Sequence, residues 1–552
     1  MIPRNPLLVA ALVLLPLAAG CSATGGSDGA EATTADAADA TVEPTSAGDT
    51  TGFAPGPELN TEEYAYIAEN DFRDASTAPL STFAIDVDRA SYANVRRFIN
   101  EGRLPPADAV RIEELINYFD YDDPDPTGEH PFAVRTEVAP APWNPAHRLV
   151  RIGIQGRRME QEELPPSNLV FLVDVSGSMD EPAKLPLVKR ALSRLVEELR
   201  DEDRVGMVVY AGAAGVVLEP TSGADRREIL RALDDLEAGG STAGGEGIRL
   251  AYRLARDAFI RGGNNRVILA TDGDFNVGVS SEGELVRLIQ QEREDGIFLT
   301  VLGFGTGNYK DSRMEALADH GNGNYAYVDG EDEAEKVLVR EMGGTLFTIA
   351  KDVKVQVEFN PAQVDSYRLI GYENRVMAAE DFNDDRRDAG ELGAGHTVTA
   401  LYEVVPAGGG GGRPRVDPLR YQDRRPRAGS GSGELMTVKL RYKDPDGGES
   451  RLIERAVRDG GGLLDEASDD FRFAAAVAQW GMLLRGSAHV GESSYGNVLQ
   501  LARGALGRDP HGDRAGFVRL VQSSRRLAGR EEVDVDEEPV IPGDEDVHSH
   551  GR

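Results

Sequence analysis

The sequence predicts a doubly wound α/β domain at residues 166–348, between a small N-terminal α+β unit at 59–160 and a C-terminal β-rich and helical region at 349–530. Three observations carry this reading. From Asn168 onward, apolar runs alternate with helical stripes, the pattern of buried parallel strands joined by crossover helices. After about Ala350 the apolar period becomes two, with Val353, Val355, Val357 and Phe359 set against polar neighbours. At 552 residues the chain also exceeds what one hydrophobic core organises.

In the N-terminal unit, Val110, Ile112, Leu115, Ile116 and Phe119 fall near helical spacing, and 132–138 and 148–154 read as strands. Asp86 and Asp88 precede a helical stretch at 91–98, where capping is the expected use of such residues, so no site is assigned to them. In the central domain 169–175 is a run buried on both faces, followed by the stripe Val188, Leu192, Leu195, Val196 and Leu199. Strands follow at 205–210 and 216–218, and Ile229, Leu233 and Leu236 mark a helix. Ile248, Tyr252, Ala255 and Phe259 mark another helix before a strand at 267–270. Leu285, Leu288 and Ile289 then mark a helix before the strand 297–304. Further on, Met436, Val438, Leu440 and Tyr442 predict a second alternating strand, beyond a glycine-rich stretch at 408–433 read as a flexible loop. Helices are expected at 471–484, 495–505 and 516–527, and an acidic disordered tail at 531–552.

The first twenty residues have the layout of a secretion signal: Arg4, an apolar run from Leu7 to Ala19, and small residues before Cys21. The run is shorter than the ~20 residues of a bilayer-spanning helix. Cys21 is the single cysteine, so no disulfide can form within the chain. Leu17-Ala-Ala-Gly-Cys21 resembles a bacterial lipobox, with Ala18 where leucine is usual, which implies lipidation of Cys21. Ser22 follows the anchor, which implies the outer membrane in an organism with two membranes. Residues 21–58 have almost no large apolar side chains and contain no Lys or Arg, so they read as an acidic tether. A formal net charge of −34 argues against a nucleic-acid partner, because phosphate contacts need clustered Lys and Arg.

Ligands of open α/β sheets bind beyond the carboxyl ends of the strands. Three polar clusters are placed there: Asp174-Val-Ser176-Gly-Ser178, Gly240-Ser241-Thr242 and Thr271-Asp272-Gly273. Asp174, Ser176, Ser178, Ser241, Thr242 and Asp272 offer oxygen alone, which suits a hard ion such as Mg²⁺ and disfavours zinc or copper. Two carboxylates around a divalent ion leave it near neutral, with room for one anionic ligand. A second acidic run, Asp381-Phe-Asn383-Asp-Asp385, opens like a calcium loop but has Arg386 and Leu392 where glycine and glutamate are required, so it reads as a surface turn.

The three clusters resemble the loops of the metal-ion-dependent adhesion site in von Willebrand factor type A domains. The resemblance implies that Ser176, Ser178 and Thr242 contact the metal through hydroxyls, and that Asp174 and Asp272 act directly or through water. It also implies that a partner protein supplies an acidic ligand. Ser81-Thr-Phe-Ala-Ile-Asp-Val-Asp88, Glu137-Val-Ala-Pro-Ala-Pro-Trp-Asn144 and Gly371-Tyr-Glu-Asn374 resemble the flanking regions of bacterial YfbK-type proteins. The resulting expectation is a non-enzymatic envelope lipoprotein that binds a protein partner through Mg²⁺, with Mn²⁺ or Ca²⁺ as other candidate ions. The alternatives are a metal-dependent hydrolase, or an accessory subunit of an envelope transport or channel complex. Against hydrolysis, the eight histidines fall in no zinc-protease or nucleophile-elbow pattern.

Overall fold

The strand Ser167–Asp174 is buried along its whole length. Leu169, Phe171 and Val173 enter one apolar cluster, while Val170 and Leu172 enter another. Successive residues of a strand face opposite sides, so this division requires helices on both faces of the sheet. In the computed structural model, which describes residues 62–160, 163–240, 244–273, 282–307, 310–387, 389–408, 433–445 and 447–535, that requirement is met. Ser167–Asp174 pairs in parallel with Arg204–Tyr210 and with Asn264–Thr271. Ile297–Phe304 and Tyr325–Val328 extend the sheet in parallel on one side, and Ala214–Ser222 closes the other side antiparallel. Helices Leu185–Glu197 and Arg226–Asp234 cover one face; Gly244–Asp257, Glu282–Glu294 and Asp311–His320 cover the other. The doubly wound domain is therefore as the sequence predicts. The helix ends differ: Leu199, Leu236 and Phe259, each drawn into a helical stripe, lie just beyond helices that end at Glu197, Asp234 and Asp257, and of the three Phe259 is exposed.

The flanking segments build their two sheets jointly. One sheet runs Arg73–Asp74, Val364–Ile370, Thr397–Pro406, Asn144–Gly156, Phe132–Ala141. The other runs Val376–Met377, Leu80–Ala84, Thr348–Phe359, Met436–Lys443, Arg451–Val457, with Gly390–Gly393 also pairing with Thr348–Phe359. Both sheets contribute to one core, the arrangement of a sandwich, in which Phe359 stacks on Tyr367 at 3.7 Å between ring centroids. The helices are shared in the same way. Tyr92 and Phe119 from the N-terminal segment pack with Phe473, Trp480 and Phe517 from the C-terminal one. The two flanking segments therefore fold together as one unit, into which the α/β domain is inserted. Period-two patterning marks a strand and its buried face, but not which strand lies beside it. The final helix, Asp513–Val535, also runs into the stretch expected to be an irregular tail.

A buried ionic junction ties the inserted domain to both flanks. Arg375 of the C-terminal segment donates to Asp86 Oδ2 at 3.1 Å and to Asp319 Oδ2 at 2.7 Å, and also lies against Asp88 and Glu315. Arg111 of the N-terminal segment bridges Glu114, Asp311 and Glu315 at 2.8–2.9 Å. Burial pushes the carboxyls of Glu114 and Glu315 up to about 8, against the opposing pull of the Arg111 charge. The capping role expected of Asp86 and Asp88 is not what they do. Asp86 Oδ1 accepts from the Asp88 backbone N–H, and Asp88 Oδ1 accepts from that of Tyr325. The first turn of helix Ala90–Asn100 is instead served by Glu114, which accepts from the Ser91 N–H at 2.8 Å.

Candidate metal centre

Asp174 ends its strand with its carboxylate beneath the turn that follows. Its Oδ1 accepts from the Ser176 N–H at 2.8 Å, which folds the chain back and brings Ser176 Oγ within 3.1 Å of Ser178 Oγ. On the neighbouring strand, the Thr271 hydroxyl donates to Asp174 Oδ2 at 3.4 Å and accepts from the Gly273 N–H, and Asp272 follows directly. The two carboxylates and Ser176 are buried, whereas Ser178 is exposed, so the centre opens to solvent at Ser178. Burial pushes Asp174 up to about 6, and the charge of Asp272 pushes in the same direction, against hydrogen bonds from Ser176. Backbone bonds fix the start of the second cluster nearby: the Gly239 N–H donates to Val175 O at 2.7 Å and the Gly177 N–H to Gly240 O at 3.0 Å. Ser241 and Thr242, next in sequence, lie outside the described residues, as do Cys21, the tether and most of the glycine-rich loop.

The structure thus brings Asp174, Ser176, Ser178 and Asp272 to adjacent strand ends, with the loop leading to Thr242 hydrogen-bonded against them. Two buried carboxylates that repel one another, with hydroxyls above them, fit a hard divalent cation. Sequence reasoning did not assign two residues that the geometry adds. Thr271 braces Asp174, and its place beside Asp272 was the available signal. Lys184 lies with its ammonium 3.4 Å from Asp272 Oδ2 and 2.9 Å from Glu181 Oε1. Burial lowers its pKa, but the two carboxylates outweigh that and hold it above the ordinary lysine value. Nothing in the residues around 184 marks this lysine out, because its contact is made across the fold.

The acidic run at 381–385 begins in a short 3-10 helix, Ala379–Asn383, that buries Phe382, and continues as a turn in which Asp384 Oδ1 accepts from the Arg386 N–H; Lys354 donates to the carbonyls of Asp381 and Asp384.

Fold and site together define a von Willebrand factor type A protein. Residues 168–340 match the family described as von Willebrand factor type A domain, 58–151 match von Willebrand factor, and 344–527 match the C-terminal region of uncharacterized protein YfbK. The chain is 46% identical over 470 residues to uncharacterized protein YfbK of Escherichia coli (strain K12), covering 84% of this chain and 81% of that one. It belongs to the YfbK family. A more distant relative is human inter-alpha-trypsin inhibitor heavy chain H3, 25% identical over 262 residues, covering 43% of this chain and 28% of that one. Similar solved structures include conserved hypothetical protein BatB from Bacteroides thetaiotaomicron, with 28% identity and a TM-score of 0.28, covering 32% of this chain and 97% of that one. Another is a von Willebrand factor type A protein from Catenulispora acidiphila, with 18% identity and a TM-score of 0.39, covering 73% and 91%.

Proposed function

We propose that this protein is a lipid-anchored component of the cell envelope that captures a protein partner by letting an acidic residue of the partner complete the shell of a divalent ion. The observation that carries the reading is the pairing of buried Asp174 and Asp272 at neighbouring strand ends, beside the buried Ser176 and the solvent-exposed Ser178. Ser176, Ser178 and Thr242 would hold the ion with these carboxylates, and Mg²⁺ suits the all-oxygen donor set best. The bound ion supplies electrostatic attraction for a carboxylate. The protein's own part is to fix the donors rigidly and leave one side open.

The reading is tested with immobilised protein and envelope extract. Capture of a partner is expected in Mg²⁺ or Mn²⁺, loss of it in chelator, and recovery when the metal is returned; capture indifferent to chelator would refute the metal-bridged mode. The anchor is tested separately. A Cys21→Ala variant is expected to leave the membrane fraction, either released or unprocessed, because no other thiol is present to take the lipid. Unchanged membrane fractionation of the purified variant on lipid vesicles would remove the lipoprotein assignment.

A further inference from the structure

An ammonium group is an unexpected neighbour for a cation site, yet the fold makes room for one. The Lys184 side chain is 4% exposed, and its charge points at Asp272 and Glu181. Its stem crosses Gly305, at the end of the strand Ile297–Phe304; a Cβ there would lie 2.5 Å from both Cγ and Cε of Lys184. Gly305 also has φ +76°, a conformation that favours glycine, and its carbonyl accepts from the Tyr327 hydroxyl at 2.7 Å. Two features of residue 305, its backbone angle and its missing side chain, therefore keep the lysine in place. A buried ammonium is unfavourable unless paired, and Lys184 has its pairing at the metal centre itself.

We propose that Lys184 is a built-in counter-cation of the centre, which holds Asp272 in the metal-free protein and gives the metal-loaded centre a net positive charge that selects an anionic final ligand. This rests on the metal-binding reading above. Asp174 and Asp272 bring two negative charges and the ion brings two positive ones, so without Lys184 the loaded centre is neutral. A neutral centre can be completed by water, a hydroxyl or a carbonyl with little preference. With the lysine, a carboxylate is favoured over those ligands, and the ion itself is bound less tightly because a like charge sits beside it. Glu181, which also pairs with Lys184, is half exposed, so solvent screens its charge and it offsets the lysine only in part.

Opposite signs make the proposal testable. Lys184→Met keeps the length and apolar character of the stem and removes the charge. In calorimetry on the full chain, Mn²⁺ is expected to bind this variant about tenfold tighter than the parent. When the Mn²⁺-loaded proteins are titrated with acetate and followed by water-proton relaxation, acetate is expected to bind the variant about tenfold more weakly. Glu181→Gln, a surface change that leaves the ammonium to Asp272 alone, is expected to weaken Mn²⁺ binding, and to do so less in the Lys184→Met background. A parent that binds Mn²⁺ while Lys184→Met binds it no tighter, or binds acetate equally well, overturns the proposal and leaves the metal centre standing. Glu181→Gln with unaltered Mn²⁺ affinity overturns it as well, without relying on the folding of Lys184→Met. A parent that binds no Mn²⁺ overturns the metal reading itself, and the proposal with it.

Discussion

Asp174→Ala is expected to weaken Mg²⁺ or Mn²⁺ binding by at least about a hundredfold while the protein stays folded. Removing a group that only orients a metal ligand weakens affinity by ~10–100-fold, and the carboxylate of Asp174 is proposed to hold the ion directly or through water, so its loss should reach or exceed that range. The fold should survive because the strand is held by Leu169, Val170, Phe171, Leu172 and Val173, all fully buried, and not by its terminal carboxylate. Locally, the Ser176 N–H loses its acceptor, at a cost of about 1 kcal/mol. Against this, the variant relieves the repulsion between Asp174 and Asp272 in the metal-free protein. Calorimetry with either ion, alongside circular dichroism and thermal unfolding, separates loss of the site from loss of the fold. Equal metal affinity in parent and variant would contradict the assignment of Asp174.

The second large effect is expected at the junction, far from the metal. Arg375→Met leaves Asp86, Asp88, Glu315 and Asp319 without their shared cation, and breaking a buried ionic network from one side typically costs about 3–5 kcal/mol. The loss should depend on pH. Glu114 and Glu315 have folded-state pKa values raised to about 8, so the native state holds protons there that the unfolded chain has released above the ordinary glutamate range. Their contribution is full below about pH 4.5 and is lost as pH rises through about 8. Arg375→Met should therefore be most damaging at pH 8–9, where the carboxylates are charged, and least damaging near pH 5–6. Denaturant unfolding of parent and variant across that range checks both size and direction. A penalty that does not change with pH would mean that these carboxylates do not titrate as described.

The central domain was legible because its signals are local. The alternation of Val170 and Leu172 with Phe171 and Val173, and the oxygen-rich clusters at the ends of the strands Ser167–Asp174 and Asn264–Thr271, can each be read within a few residues. Asp86 and Asp88 were misread for the opposite reason: a cap was expected from sequence proximity, but the acceptor for the Ser91 N–H is Glu114, brought in by the packing of a different helix. Lys184 escaped notice because its meaning depends on Gly305 and Asp272, both remote in sequence. The pairing of Phe83 with Val355 belongs to the same class. Patterning shows that each residue is on a strand, and only the three-dimensional register shows that they are neighbours.

The interleaved sandwich also dictates an order of events as the chain emerges N-terminus first. Leu80–Ala84 belongs to a sheet whose strands come from as far along as Arg451–Val457, Asn144–Gly156 pairs with Thr397–Pro406, and Ile112–Asn117 packs against a helix that begins at Asp469. The N-terminal segment therefore waits with unpaired edges until nearly the whole polypeptide has appeared. The inserted domain draws its strands from one continuous stretch and can close beforehand. Pairings between such distant segments form slowly, and exposed strand edges invite association with other chains in the interval. Truncation at the C-terminus should accordingly do more than remove a domain: it should strand the beginning of the chain as an aggregation-prone intermediate, attached to an inserted domain that has already folded.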